Sequence, residues 1–169
     1  MCQSKTADPD IVSILRRQMS PTLTMLGRVL EACPDELWAE DDGGIPVWQE
    51  AYHSLVGVFF WLRDDMSAPF EFPPFHNEDA GMMVKGAGPP IPRELILDYH
   101  RQACRRCEEV FDGLTPGKLT EQVCLNGINF TLADRILSQI RHVQHHTGCM
   151  YSLLRRRLGE GPDWAGFGE

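Results

Sequence analysis

The sequence predicts an all-α protein, a four-helix bundle with long connections, formed from residues 1–169 as one domain. Three observations predict it. Four segments place apolar residues at helical spacing. No run alternates convincingly enough to read as a strand. Two long connections, one of them rich in Pro and Gly, separate the later helices.

The first helix is expected from about Asp8 to Ala32. Asp8 and Pro9 supply an N-cap followed by proline at the first helical position. Ile11, Ile14, Leu15, Met19, Leu23, Leu26 and Leu30 keep the helical period, and Pro21 is expected to kink or split the helix. The second helix is expected from about Pro46 to Met66. Val47, Ala51, Leu55, Val58 and Leu62 form one stripe, while Val56, Phe59, Phe60 and Trp61 lie outside it. A helix apolar on nearly all sides is buried on most of them, and His53 sits in its middle.

Residues 67–91 read as a connection without a period, of the kind that forms lids or crossovers. The third helix, about Pro92 to Phe111, carries Leu95, Ile96, Tyr99, Ala103 and Val110. The second connection follows, "DGLTPGKLTEQVCLNGIN". The fourth helix opens at "TLAD", where Thr131 and Asp134 have capping-box spacing, and runs to Leu158, with Gly159 as its stop. In the tail "EGPDWAGFGE", Trp164 and Phe167 are the expected anchors onto the bundle.

Composition excludes several function classes. The formal net charge is -8 and the pI about 5.2, which disfavours binding to a nucleic-acid backbone. The one basic cluster, Arg155 to Arg157, falls at the end of the fourth helix, where cations suit the negative dipole end. No apolar run is long enough to span a membrane, and the polar N-terminus lacks a signal-peptide core, so the expected location is cytoplasmic. The 6 cysteines are then expected to be reduced. "CRRC", Cys104 to Cys107, lies inside a helix and lacks the strand context of a redox motif, so it reads as structural.

The chemistry-bearing stretch is "RHVQHHTGCMYSLL", residues 141–154. On a helical wheel Ile136, Ile140, Val143, Thr147, Met150 and Leu154 form a stripe that Leu153 widens. His146 borders it and His142 lies roughly 40° further out. His145 points to nearly the opposite face, toward solvent or a partner chain. His142 and His146 are therefore an i, i+4 pair beside the core, about 6 Å apart along the axis. Such a pair can share one ion, as in zinc proteases. Val143 stands where a zinc protease needs its general-base Glu, so that activity is excluded. His53 adds a buried imidazole on another helix, which must be hydrogen-bonded or coordinated. Spacing alone leaves both readings open. A di-iron site needs two Glu-x-x-His motifs, and only Glu50 to His53 supplies one. His76 and His100 lack a partner pattern and are expected at the surface.

"PVWQEAYHSLVGVFFWL" followed by "RHVQHHTGCMYSLLRRRLG" resembles the DinB-like superfamily, which includes bacillithiol transferase-like proteins. The likeness covers nearly the whole chain. It implies an up-down-down-up four-helix bundle, usually a homodimer, with one divalent metal, zinc or nickel, held by His53, His142 and His146. It further implies a small-molecule substrate. Relatives of this type transfer low-molecular-weight thiols to electrophiles or isomerise substrates with such a thiol, and others are described as metal-dependent hydrolases. A frequent "HHRGQ" reads "HHTGCM" here, with Thr147 for Arg and Cys149 for Gln. Cys149 is a fourth ligand, a redox-sensitive neighbour or, as the favoured reading, a small core residue. Glu50, one turn before His53, is a candidate to orient that imidazole. Two functions follow from this sequence. One is a metal-dependent thiol transferase or hydrolase with an open coordination position. The other is a non-catalytic metal- or ligand-binding bundle whose metal is closed off by protein.

Overall fold

Helix α1, Ile11–Ala32, starts where the Asp10 carboxylate accepts the Ser13 N–H at 2.8 Å. The computed structural model describes residues 10–40 and 43–166, so Asp8 and Pro9, the expected cap, lie outside the described residues. The cap is Asp10, the next acidic side chain along. Pro21 does not split α1, which continues through it. Met19, Leu23, Leu26 and Leu30 are all buried, so apolar contact holds both sides of the proline to one core. A short helix α2, Asp35–Trp38, follows, and the Trp38 indole N–H donates to the Ile91 carbonyl at 2.9 Å.

Helix α3 spans Val47–Trp61 and ends at Leu62, short of the expected Met66. Two arginines take its last carbonyls. Arg106 donates twice to the Leu62 carbonyl, at 2.8 and 3.2 Å. Arg135 donates to the Trp61 and Arg63 carbonyls at 2.6 and 2.7 Å. Asp64 and Asp65 would also extend negative charge along the negative end of the helix dipole. The connection contains a short helix α4, Glu78–Gly81, capped by Asn77. Helix α5 is Arg93–Asp112 and α6 is the single turn Pro116–Leu119.

The second connection holds two strands that the sequence reading did not expect. β1, Gln122–Leu125, pairs antiparallel with β2, Ile128–Thr131. The loop is Asn126–Gly127, with φ of 52° and 79°. Both values are positive, as a two-residue type I′ turn requires, and Asn-Gly is its preferred dipeptide. Each strand is 4 residues long, too short for alternation to stand out. Helix α7, Leu132–Leu158, has the expected capping box between Thr131 and Asp134, and Gly159 terminates it at φ 81°.

The four long helices form a ring of contacts: α1 packs on α5 and α7, and α3 packs on the same two. Thus α1 and α3 lie diagonally, as do α5 and α7. One core cluster draws on all four, including Leu26, Leu55, Ile96 and Leu154. The fourth-helix stripe from Ile136 to Leu154 is buried as the wheel placed it. The apolar excess of α3 is met within the chain. Trp48 is buried, Phe59 stacks on Tyr99, Phe60 packs edge-on against Phe70, and Trp61 packs against Phe130 of β2.

The tail is anchored differently from the expectation. Trp164 is 74% exposed, whereas Ala165 is buried and its N–H faces the Met25 sulfur. Phe167 lies outside the described residues. Cys104 and Cys107 are unpaired thiols on α5, pushed up from the usual range by burial, Cys107 to about 12. Among the described residues no helix is long and apolar enough to cross a membrane.

Candidate metal centre

Helices α3 and α7 pack directly on each other, and three imidazoles meet at their contact. His53 comes from the middle of α3. His142 and His146 come from consecutive turns of α7. The three ring centroids lie 4.6 to 4.9 Å apart, each pair nearly edge to face. One ring nitrogen from each residue lies within 4.8 Å of the others. His146 is buried, and His53 and His142 are half-buried.

Outer hydrogen bonds select which nitrogens face inward. The His53 Nδ1–H donates to the Gly81 carbonyl at 2.7 Å. The His146 Nδ1–H donates to Glu50 Oε2 at 2.5 Å. Each bond leaves Nε2 bare as a lone-pair donor, the arrangement that metal-binding histidines use. Glu50 therefore orients His146 across the helix interface. It was expected to orient His53, its neighbour one turn along α3, but the carboxylate reaches the other helix instead.

The third imidazole supplies a test of fit. His142 Nε2 lies 3.0 Å from His53 Nε2, while the buried Nδ1 of His142 has no partner. With His53 protonated on Nδ1, its Nε2 only accepts. A neutral His142 then donates from Nε2 and leaves Nδ1 unsatisfied in the interior, which costs free energy. A cation shared by the Nε2 lone pairs ends the competition of His53 and His142 for one proton and turns the buried His142 Nδ1 from a lone pair into a donor. Donors at about 2.0–2.1 Å from one tetrahedral ion lie roughly 3.4 Å apart, inside the range that this group spans. The donor set fits zinc or nickel, since neutral imidazole suits both. Burial depresses the His142 pKa to about 4, helped by the neighbouring His146, His53 and His145. Burial likewise lowers that of His53. Both rings are thus neutral, and competent as ligands, at neutral pH.

One glycine makes the approach possible. A Cβ at Gly57 would sit 2.7 Å from His142 Cε1, closer than real contacts allow. Gly57 lies one turn after His53, so α3 presents bare backbone where the α7 imidazole must fit. Gly81 contributes its carbonyl from the end of α4, and residues on either side of α4 are fastened to α3. Gln49 donates to the Val84 carbonyl at 2.8 Å, and Tyr52 is hydrogen-bonded to His76. An isolated glycine in the interior of α3 was the available signal for Gly57, because such a residue costs about 1 kcal/mol and needs a packing reason. Nothing local marks Gly81 or the cross-helix reach of Glu50.

His145 is exposed and outside the three-histidine group. Cys149 is exposed, not a small core residue, and it also lies outside that group. It lines a groove of about 520 Å³ together with Glu50, His145 and Arg156. Desolvation, then the Glu50 charge, raises its thiol pKa. His76 is not simply at the surface: it is half-buried, bonded to Tyr52 and stacked on Phe72. His100 is likewise half-buried, with its Nε2 2.8 Å from the Leu23 carbonyl and its ring against Gly27. Both have partners from distant segments that local spacing does not reveal.

No curated protein and no solved structure matches the chain. The family model of the DinB superfamily matches residues 18–150, a span that holds all three histidines, Glu50, Gly57 and Gly81. On that match, the chain belongs to the DinB superfamily.

Proposed function

We propose that the protein is a metal-dependent enzyme, a thiol S-transferase or hydrolase, whose divalent ion, zinc or nickel, is held by His53, His142 and His146. The observation that carries this reading is the convergence of three imidazoles, two of them with Nδ1 committed to outer partners. A divalent ion in such a site acidifies a thiol or water, so that a nucleophile is available near neutral pH. The chain's own groups set the stage. Glu50 fixes the His146 ring and the Gly81 carbonyl fixes the His53 ring. Among the described residues no other His, Cys, Asp or Glu joins the group. That supports an open coordination position over the non-catalytic reading, which needs closure by a residue such as Cys149. The substrate is a small electrophile or ester, with a low-molecular-weight thiol as the co-substrate of the transfer reaction.

Several wider features belong to the same reading. The family supports an up-down-down-up course, and the long 62–92 connection between α3 and α5 is of the length that a same-direction crossover needs. Family membership also supports a homodimer. Unpaired thiols at Cys33, Cys104 and Cys107 suit a reducing, cytoplasmic compartment.

Elemental analysis of untagged protein tests the metal. Wild type is expected to carry about one ion per chain, and His53→Ala, His142→Ala and His146→Ala to lose most of it. His145→Ala is expected to keep it. Full occupancy of His53→Ala would refute the ligand assignment. Turnover of a thiol with a panel of electrophiles and esters tests the chemistry. Metal-loaded protein inert toward every pair would favour the non-catalytic reading.

A further inference from the structure

We infer that Gln139 is a positioning residue for the metal centre, its carboxamide oxygen accepting the His142 Nδ1–H when Nε2 faces the ion; this rests on the metal reading above. Gln139 lies one turn before His142 on α7 and is 1% exposed. Its Oε1 is buried without a partner, and so is His142 Nδ1. The two atoms lie 3.1 and 2.9 Å from the position that a Cβ at Gly57 would occupy, so both crowd the same patch of bare α3 backbone. Two orphaned polar atoms sharing one dry patch need an explanation.

The tautomer of His142 supplies it. When Nε2 carries the proton and donates to His53, Nδ1 is a lone pair, and a lone pair and a carboxamide oxygen cannot satisfy each other. When the ion takes the Nε2 lone pair, the proton sits on Nδ1. That position is a donor, and Gln139 Oε1 is the unpartnered buried acceptor on the same patch of α3 backbone. The three ligands then have a carbonyl, a carboxylate and a carboxamide as their outer partners, one each. Such partners fix ring orientation and raise ligand basicity. Gly57 keeps the patch free of a side chain that would separate the pair.

The test uses the full chain with 15N-labelled histidine, titrated with zinc chloride in competition with a chromophoric chelator. Long-range proton–nitrogen correlation spectra are expected to show zinc moving the His142 proton to Nδ1. Gln139→Met, which keeps the volume and removes the acceptor, is expected to weaken zinc binding about 10-fold or more. Gln139→Glu, which restores an acceptor, is expected to stay close to wild type. Zinc-loaded wild type with the His142 proton still on Nε2 would overturn the inference, as would unchanged affinity in Gln139→Met. If Gln139→Met fails to fold, the wild-type spectra and the Gln139→Glu affinity decide. Absence of zinc binding by wild type would overturn the metal reading itself, and this inference with it.

Discussion

Gly57 and His142 show how one missing Cβ shapes the centre. A methyl group at position 57 must displace the imidazole, because its nearest approach is 2.7 Å. Gly57→Ala gains about 1 kcal/mol of helix propensity and loses about 1–3 kcal/mol to overpacking. The fold is therefore expected to survive, while zinc affinity falls about 10-fold or more. Unchanged affinity by chelator competition would show that the ring has room to yield. The imidazoles also set a pH dependence in metal-free protein. The folded pKa of His142, about 4, lies below its unfolded value of about 6.5, and those of His53 and His100 are lowered in the same direction. The unfolded chain thus binds more protons between these values. Stability is fully present above about pH 6.5 and is lost as pH falls toward 4, with at most about 3 kcal/mol from His142. Denaturant melts of metal-free protein at pH 7.5 and pH 5 check this. Equal midpoints would mean that the rings are not held neutral by burial.

At the scale of elements, α3 and α7 are tied both at the histidine cluster and at the far end of α3. Glu50 reaches His146 near the site, and Arg135 closes the far end of α3 by donating to the Trp61 and Arg63 carbonyls. Arg135 is only 6% exposed, so these bonds are shielded from water. Arg135→Leu removes them and leaves two carbonyls short of their donor, at a cost of about 2–3 kcal/mol. Thermal denaturation should register that loss, and a neutral result would mean that water replaces the guanidinium. Sequence reading placed α3, α5 and α7 to within a few residues at most ends because caps and breakers are local: Thr131 with Asp134, and Gly159. It overran the C-terminus of α3 because Arg106 and Arg135, the groups that take its final carbonyls, come from helices remote in the chain. It passed over the hairpin although Asn126–Gly127 was a usable signal, since strands of 4 residues carry little periodicity.

Across the whole molecule, the aromatic surplus of α3 is shared with other elements of the chain. Phe59, Phe60 and Trp61, each half-buried, pack on Tyr99, Phe70 and Phe130. A homodimer remains the proposal from family membership, but its contact need not include this face. Light scattering at micromolar concentration is expected to give a dimer mass for wild type and for Phe60→Ala alike. Phe60→Ala is expected to lower stability, by less than the about 3–5 kcal/mol of a fully buried Phe because the ring is only half-buried. A monomeric wild type would refute the dimer, and a dimer lost in Phe60→Ala would place that face in the interface.

By itself the sequence determined the helical class, the bundle of four long helices and the pairing of His142 with His146. These follow from short-range rules: a 3.6-residue period, capping chemistry and one-turn spacing. It also singled out His53 as a polar group in need of a partner. Tertiary structure alone decided which partners the imidazoles have. The Gly81 carbonyl, Glu50 and the Gly57 gap reach the site from α3 and the 62–92 connection, and His76, His100 and Cys149 changed their expected surroundings in the same way. Hydrogen-bond partners across helices depend on packing distances of a few ångströms, and those are properties of the assembled core rather than of any local stretch of chain.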